Sequence, residues 1–487
     1  MRAGQHARVA APPPADAIDV TPSNAALTRS RSNPAGVWAA RAFLLIGALC
    51  GLALALVTPP LRWGDENTHL IQAYRLSELN FTLLPAMKAT RVELPRGVGK
   101  LLLTRSLELE RKRHKGPESL KALRRKLAIE ARSNDRRPVH LLNATYPLLG
   151  YVPQALGIAG ARMLSSSVLV QLYAARFANV AAWLLLGWAA IRSTPCYRLA
   201  FAALALAPLS VFVASTLAVD GVTNGLALLW TACVVRLATS DTGSPPRLVP
   251  LALLATALAV VKLAYAPLVL LLFLVPAERF GGVRRQIFAV ATILAVALAT
   301  LALWFVVARW QVAKTVAPHG MQTVADNLVR IGHEPLAVAA MIGEMLWLVA
   351  RKSLLLQVDT IWFLRSPSTW AFVAWVAAVA CAVLAEPRPT LWPGLRARAT
   401  AVAAVVLTTV GISLLAFLLW TRAGADSIDG VQSRYIVPLL PALLVGVSPR
   451  GAWPTASRAR LVLAAGALVL LVAVLTYTVQ RGLRLWV

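Results

Sequence analysis

The chain has 487 residues, of which 58% are hydrophobic and 14% charged, with a mean hydropathy of +0.65 and a formal net charge of +28. Apolar runs of about 20 residues, the length that crosses a bilayer as helix, recur along it. This excludes a string of soluble domains, and no alternating pattern suited to a membrane barrel occurs. The expected fold class is an all-α polytopic membrane protein. In a soluble protein the positive charge would suggest nucleic acid. Here it belongs to short-loop arginines that fix membrane topology and to one basic loop, so no nucleic-acid partner is expected. Cys50, Cys196, Cys233 and Cys381 are scattered in or beside apolar runs, without metal or disulfide spacing.

Residues 1–36 are rich in Ala, Pro, Ser and Arg and read as a disordered cytoplasmic tail. The first apolar run starts too late and is too long for a cleaved signal peptide. Arg29, Arg31 and Arg41 predict a cytoplasmic N-terminus. A first span is predicted over about 38–59, followed by a large first extracytoplasmic loop over 61–167. Its charged middle, Glu108 to Arg137, reads as solvated helix, because long loops are translocated regardless of charge. Its end, Tyr146-Pro-Leu-Leu-Gly-Tyr-Val-Pro-Gln154, reads as an interfacial helix broken by prolines.

Further spans are predicted over about 168–191, 199–215 and 221–237. The stretch 248–276 is interrupted at Lys262 and Pro267, and two short helices meeting near Lys262 keep Arg279, Arg284 and Arg285 inside. Spans over about 286–308, 369–385, 399–420, 436–447 and 461–479 complete the chain. A second extracytoplasmic loop covers 309–368 and holds an amphipathic piece around 337–357. The total is about eleven transmembrane helices in one domain over 37–480, with a tail at 481–487. No inverted repeat of the transporter kind is visible.

The segment that carries chemistry is Pro59-Pro60-Leu61-Arg62-Trp63-Gly64-Asp65-Glu66-Asn67-Thr68-His69. If a helix restarts after the prolines, Asp65 and His69 are four apart and share a face. Ionisable groups at a membrane boundary are costly and mark function, and a carboxylate there can serve as general base. The plainer alternative makes Asp65 and Glu66 the polar start of a helix. The topology brings His69, Arg176, Asp220, Lys262, Gln432, Arg434 and Tyr435 to the same outer level, where they are candidate substrate-binding residues. Arg and Lys there suit phosphate. The alternatives are snorkelling for Arg176 and Lys262, a turn or cap for Asp220, and interfacial anchoring for Arg434 and Tyr435. His319 and His333 read as solvated. A divalent cation on Asp65 and Glu66 is a further candidate, but no third ligand stands at a diagnostic spacing, so no metal or cofactor is assigned. No P-loop, dinucleotide fingerprint or Ser-His-Asp order is present.

Six blocks resemble, in order, the bacterial membrane proteins grouped as domain of unknown function 2142. They are Pro59-Pro60 with Asp65-Glu66 and His69, Tyr146 to Gln154, Arg176-Phe-Ala-Asn179, Pro208-Leu-Ser with Ser215 and Asp220, Lys262 with Tyr265 and Pro267, and Gln432-Ser-Arg434-Tyr435-Ile-Val-Pro438. Ser433 stands where a glycine is expected. That family is similar to the C-type glycosyltransferases, multi-span enzymes that use polyprenyl-phosphate sugars. The resemblance implies a GT-C-like bacterial inner-membrane enzyme whose Asp65 or Glu66 acts as base at the extracytoplasmic face. It implies membrane lipid, a polyprenyl-phosphate-linked sugar donor and an envelope glycan or lipid acceptor as partners. A transporter or flippase of a lipid-linked saccharide, or a non-catalytic envelope assembly factor, is the alternative.

Overall fold

A computed structural model of the chain describes residues 34–62, 65–79, 91–111, 119–132, 134–140, 147–240, 245–315, 321–353, 368–386, 392–448 and 457–486. Most of the expected tail at 1–36 lies outside these residues, as do Trp63, Gly64, Tyr146 and His319. Helix α1 (Pro34–Val57) ends before Pro59-Pro60, which cannot continue it. Leu45, Leu49, Leu52 and Leu56, at helical spacing, are exposed along one side, as suits a face meeting lipid. Phe43 and Leu54 point inward. After the proline turn, α2 (Glu66–Ser77) begins with Asp65 as its N-cap residue.

A polar unit follows, made of β1 (Arg91–Pro95), α3 (Arg96–Arg111), α4 (Leu120–Leu127) and β2 (Arg136–His140). The strands pair antiparallel, with Arg91 opposite His140 and Pro95 opposite Arg136. The charged middle, Glu108 to Arg137, was expected as helix; α4 lies within it and α3 reaches into it as far as Arg111. The ribbon is additional. Each of its strands has five residues and its partner lies far away in sequence, so neither shows a readable period.

A 3-10 turn at Leu148–Tyr151 leads into α5 (Val152–Arg162), which lies along α6 (Val168–Ser193). Next come α7 (Arg198–Ala205), α8 (Pro208–Ala214), α9 (Asp220–Thr239) and α10 (Leu248–Val261). The chain breaks at Lys262, whose extended backbone separates α10 from a 3-10 helix over Leu263–Leu274 with Pro267 inside. The remaining helices are α11 (Val283–Thr315), α12 (Met321–His333), α13 (Pro335–Leu348), α14 (Thr369–Ala385), α15 (Leu395–Leu419), α16 (Leu440–Val447) and α17 (Ser457–Leu483). Helices α6 and α9 form the buried centre, α15 packs on the 3-10 helix, and α14 packs on α17.

Six of these helices are long and apolar enough to cross a membrane: α1, α6, α9, α11, α15 and α17. Counting the α12–α13 pair, bent by 107°, as one broken span gives seven. This is fewer than the eleven expected, and the reason is local. The expected span 199–215 is interrupted between α7 and α8 at Leu206-Ala207-Pro208, and the apolar helices Leu248–Val261, Leu263–Leu274, Thr369–Ala385 and Ser433–Val447 have only 10–17 residues. The described part of the C-terminal segment, 481–486, packs against the bundle. Leu485 is buried against Leu209, Phe212 and Val437, and Trp486 Nε1 donates to Val57 O at 2.6 Å.

The α5–α6 contact depends on a missing side chain. A Cβ at Gly157 would stand 2.5 Å from Ala174 O, whereas one at Gly160 would meet nothing within 4 Å. Gly157→Ala is therefore expected to destabilise the fold by about 1–3 kcal/mol, as overpacking does. Gly160→Ala should be neutral or stabilising by up to about 1 kcal/mol, because Ala favours helix. Thermal unfolding of the two purified variants in one detergent checks the difference.

Candidate functional site

Two charge clusters occupy the end of the bundle where α1 stops and α2 begins. The first is closed. Glu66 and Arg176 are both completely buried. Arg176 Nε donates to Glu66 Oε1 at 2.8 Å and its Nη2 to Oε2 at 2.7 Å, a bidentate fork. Leu61 N also donates to Oε2, at 2.8 Å, which holds Leu61 in a left-handed conformation (φ 58°) that few residues adopt. The same guanidinium donates to the carbonyls of Ala55, Thr58 and Pro59 at 2.8, 2.7 and 3.3 Å. These carbonyls lie at the frayed end of α1 and need partners. Arg176 thus sits at the negative end of α1, while Glu66 sits at the positive start of α2.

The second cluster is open. Asp65, His69, Asp220, Lys262 and Arg434 line one cavity of about 20 Å³, together with Thr68, Val219 and Trp420. That is room for about one water-sized group rather than a sugar ring. Asp65 is 38% exposed and pairs with Arg434. Lys262 Nζ donates to Asp220 Oδ1 at 2.5 Å, and Arg434 Nε stands 3.9 Å from Asp220 Oδ2. The Tyr435 ring lies beside both cations, 4.5 Å from Lys262 Nζ and 5.4 Å from the Arg434 guanidinium carbon. Two carboxylates against two cations make this group of side chains neutral as a set.

His69 is buried beside the cavity, with Nδ1 2.9 Å from Tyr151 Oη. Either the phenol donates to Nδ1 or Nδ1–H donates to the phenol, according to the tautomer. Burial lowers the His69 pKa to about 4 against the opposing pull of Asp65, so the imidazole is neutral at neutral pH. Burial raises the Tyr151 phenol, with Asp220 and Asp65 adding to the effect, so it keeps its proton.

The loop before Asp220 is held from α6 and α5. Asn179 Nδ2 donates to the carbonyls of Thr216 and Ala218 at 2.8 and 3.0 Å, and the Gln154 amide meets Asn179 at 3.0 Å. Asn179 lies three residues after Arg176, on the same face of α6. One helix face therefore fixes both the proline turn and the Asp220 loop. Lys262 reaches in because the helix breaks there, and Tyr265 Oη donates to Tyr435 O at 3.0 Å, joining that break to Arg434.

The expected residues thus divide. Asp65, His69, Asp220, Lys262 and Arg434 share the cavity. Tyr435 backs two of them, and Gln432 contributes its backbone, accepting from Tyr435 N at 2.9 Å. Glu66 and Arg176, named above as a base and a phosphate ligand, are enclosed in their own pair. Complete burial also removes the snorkelling alternative for Arg176. Both Glu66 oxygens are engaged by Arg176, whereas Asp65 pairs with Arg434. Among the described residues no three His, Cys, Asp or Glu side chains converge as a metal site requires. His333 is exposed at the end of α12. Tyr151, Thr68 and Trp420 were not foreseen as site residues. Neutral polar and aromatic side chains carry no charge signal, and for Tyr151 only its place in the block Tyr146 to Gln154 singled it out.

Replacing Arg176 by Met or Glu66 by Gln leaves a buried charge without its partner. A loss of about 3–5 kcal/mol is expected for either, read as a fall in the thermal midpoint of the purified protein. His69 adds a pH dependence of known sign. Its folded pKa lies below the ordinary 6.5, so its contribution is complete above pH 6.5 and is lost as pH falls towards 4. The decline in thermal midpoint across that window should be smaller in His69→Gln, which cannot titrate.

No curated protein and no solved structure matches the chain. A family model described as "Predicted membrane protein (DUF2142)" matches residues 48–443, a span that holds every residue of both clusters. The chain belongs to that family of predicted membrane proteins.

Proposed function

We propose that the chain is an integral-membrane glycosyltransferase of GT-C-like architecture. It moves a sugar from a polyprenyl-phosphate donor to a cell-envelope acceptor at the extracytoplasmic face of the bacterial inner membrane. The observation that carries this reading is a half-exposed carboxylate, Asp65, sharing one cavity with two buried cations at the end of a membrane bundle. The acceptor hydroxyl gives its proton to Asp65 and attacks the anomeric carbon. The bond from that carbon to the phosphate oxygen breaks, and the lipid phosphate leaves with the electron pair. Arg434 and Lys262 stabilise the charge that develops on it.

The pairing geometry supports an ordered event. A phosphate that engages Arg434 competes with Asp65 for the guanidinium, so donor binding releases the carboxylate for the acceptor. Trp420 lines the cavity and is 38% exposed, so it offers an apolar surface to a sugar lying outside the cavity. In this division Asp65 is the catalytic base, Asp220 holds the cations, and Glu66 and Arg176 are positioning residues. The broken helix at Lys262 favours a second reading, a transporter of a lipid-linked saccharide, since transporters place such breaks at their binding sites.

Membranes supplied with a radiolabelled polyprenyl-phosphate sugar pool separate the two. With protein levels matched, Asp65→Asn is expected to cut label transfer into envelope glycans by about 100-fold or more, the usual worth of a general base. Arg434→Gln should also abolish transfer, and Glu66→Gln should act through the amount of folded protein. Full transfer by Asp65→Asn would end the enzyme reading and leave the transporter.

A further inference from the structure

The polar unit between α2 and α6 holds a second cavity, of about 700 Å³, whose lining shares no residue with the Asp65 cavity. Four cations face it: Arg96, Lys100, Arg132 and Arg137. Among the described residues, two carboxylates pair with them. Asp135 lies 3.1 Å from Arg96 and 3.7 Å from Arg137, and Glu130 lies 3.5 Å from Arg132. Four cations against two carboxylates leave a charge of +2. These pairs are solvent-exposed and hence weak, so an anion can compete for the guanidinium groups. Lys100 is exposed and makes no ion pair among the described residues.

The cavity is a built feature of the fold. The first turn of α3 lies directly on the 130–131 backbone, with Gly97 N donating to Ala131 O at 3.3 Å. A Cβ at Gly97 would stand 1.9 Å from Glu130 O, so glycine alone permits this contact. The same backbone joins the membrane helix. Ile129 O accepts from Val168 N at 3.0 Å, and Ala131 N donates to Ser166 O at 2.8 Å. Val168 is the first residue of the candidate span α6. Ile129, which lines the cavity, is thus one hydrogen bond away from the first residue of a candidate membrane span. The apolar wall of the cavity includes Leu103, Ile129 and Val139.

We propose that this cavity binds the phosphate group of an anionic membrane lipid. The guanidinium groups match phosphate oxygens as planar forks, Lys100 adds a mobile point charge, and the apolar wall suits the glycerol and first acyl carbons. Its volume falls within the range of small-molecule sites. The inference stands apart from the glycosyltransferase reading, because none of its residues takes part in the proposed transfer.

The test uses the full chain purified in detergent and supplied with mixed micelles of phosphatidylglycerol and phosphatidylcholine. Bound lipid is counted by native mass spectrometry. The wild type is expected to retain phosphatidylglycerol in preference to phosphatidylcholine. Lys100→Gln should weaken that binding roughly fivefold, the worth of one basic residue near an anionic surface. Lys100→Gln with Arg137→Gln should remove the preference. Arg124→Gln with Arg125→Gln, which removes two exposed charges of α4 outside the cavity, should leave it intact. Equal losses in that control would assign the binding to diffuse charge and overturn the proposal, as would unchanged binding in the Lys100 variants. Inorganic phosphate as sole ligand is expected to bind far more weakly. Binding as tight as that of phosphatidylglycerol would overturn the lipid assignment in favour of free phosphate.

Discussion

The arrangement at the α1–α2 end of the bundle depends on the buried pair of Glu66 and Arg176. Enclosing two opposite charges is expensive, and their mutual attraction alone does not recover the cost. Here every strong direction is used. Arg176 takes both carboxylate oxygens and three carbonyls from the end of α1, while Glu66 also accepts from Leu61. Each group further meets a helix end of complementary sign. The pair thus replaces the hydration of two charges, three carbonyls and one amide at once. It fixes α1, the proline turn, α2 and α6 relative to one another.

That fixation explains how two adjacent carboxylates have opposite fates. Glu66, the first residue of α2, is drawn inward by Arg176. Asp65, at the N-cap, is turned about the helix axis from it and reaches Arg434 from a distant part of the chain. Asn179 continues the same logic on α6 by gripping the Thr216 and Ala218 carbonyls, which sets where Asp220 begins α9. The open cluster is held in place by groups that line no part of its cavity. A change in Glu66 or Arg176 would therefore act on Asp65 by displacement.

Much of this was legible in the sequence, and the failures are instructive. The apolar runs marked α1, α6, α14 and α17 closely, and positive charge after residue 278 led to the break at Lys262, where α10 ends. The expected eleven spans exceed the six or seven described helices that pass by length, because apolar composition does not reveal whether Leu206-Ala207-Pro208 lets a helix run through. Charge marked Asp65, Asp220, Lys262 and Arg434 as a group, since four ionisable residues near a bilayer need one another. It could not separate Asp65 from Glu66, because neighbours in one motif differ only by helix phase against α6. Tyr151 acts through a neutral hydrogen bond, and the ribbon of β1 and β2 depends on non-local pairing. Neither leaves a pattern within a short window.

The neutrality of the open cluster has a consequence for any anionic ligand. Lys262 and Arg434 already hold carboxylates, so a phosphate oxygen that reaches them exchanges partners instead of meeting bare charge. The net gain is the difference between two charge-assisted arrangements, which is much smaller than either alone. In the proposed transfer this favours turnover. The leaving lipid phosphate is stabilised as its charge grows, and Asp65 and Asp220 then compete with it for the same cations once it is formed. An unbalanced pair of cations in a buried cavity would bind both donor and product tightly, lowering the ground state along with the transition state. Carboxylates that return to the cations turn the same residues into a site that can let its product go.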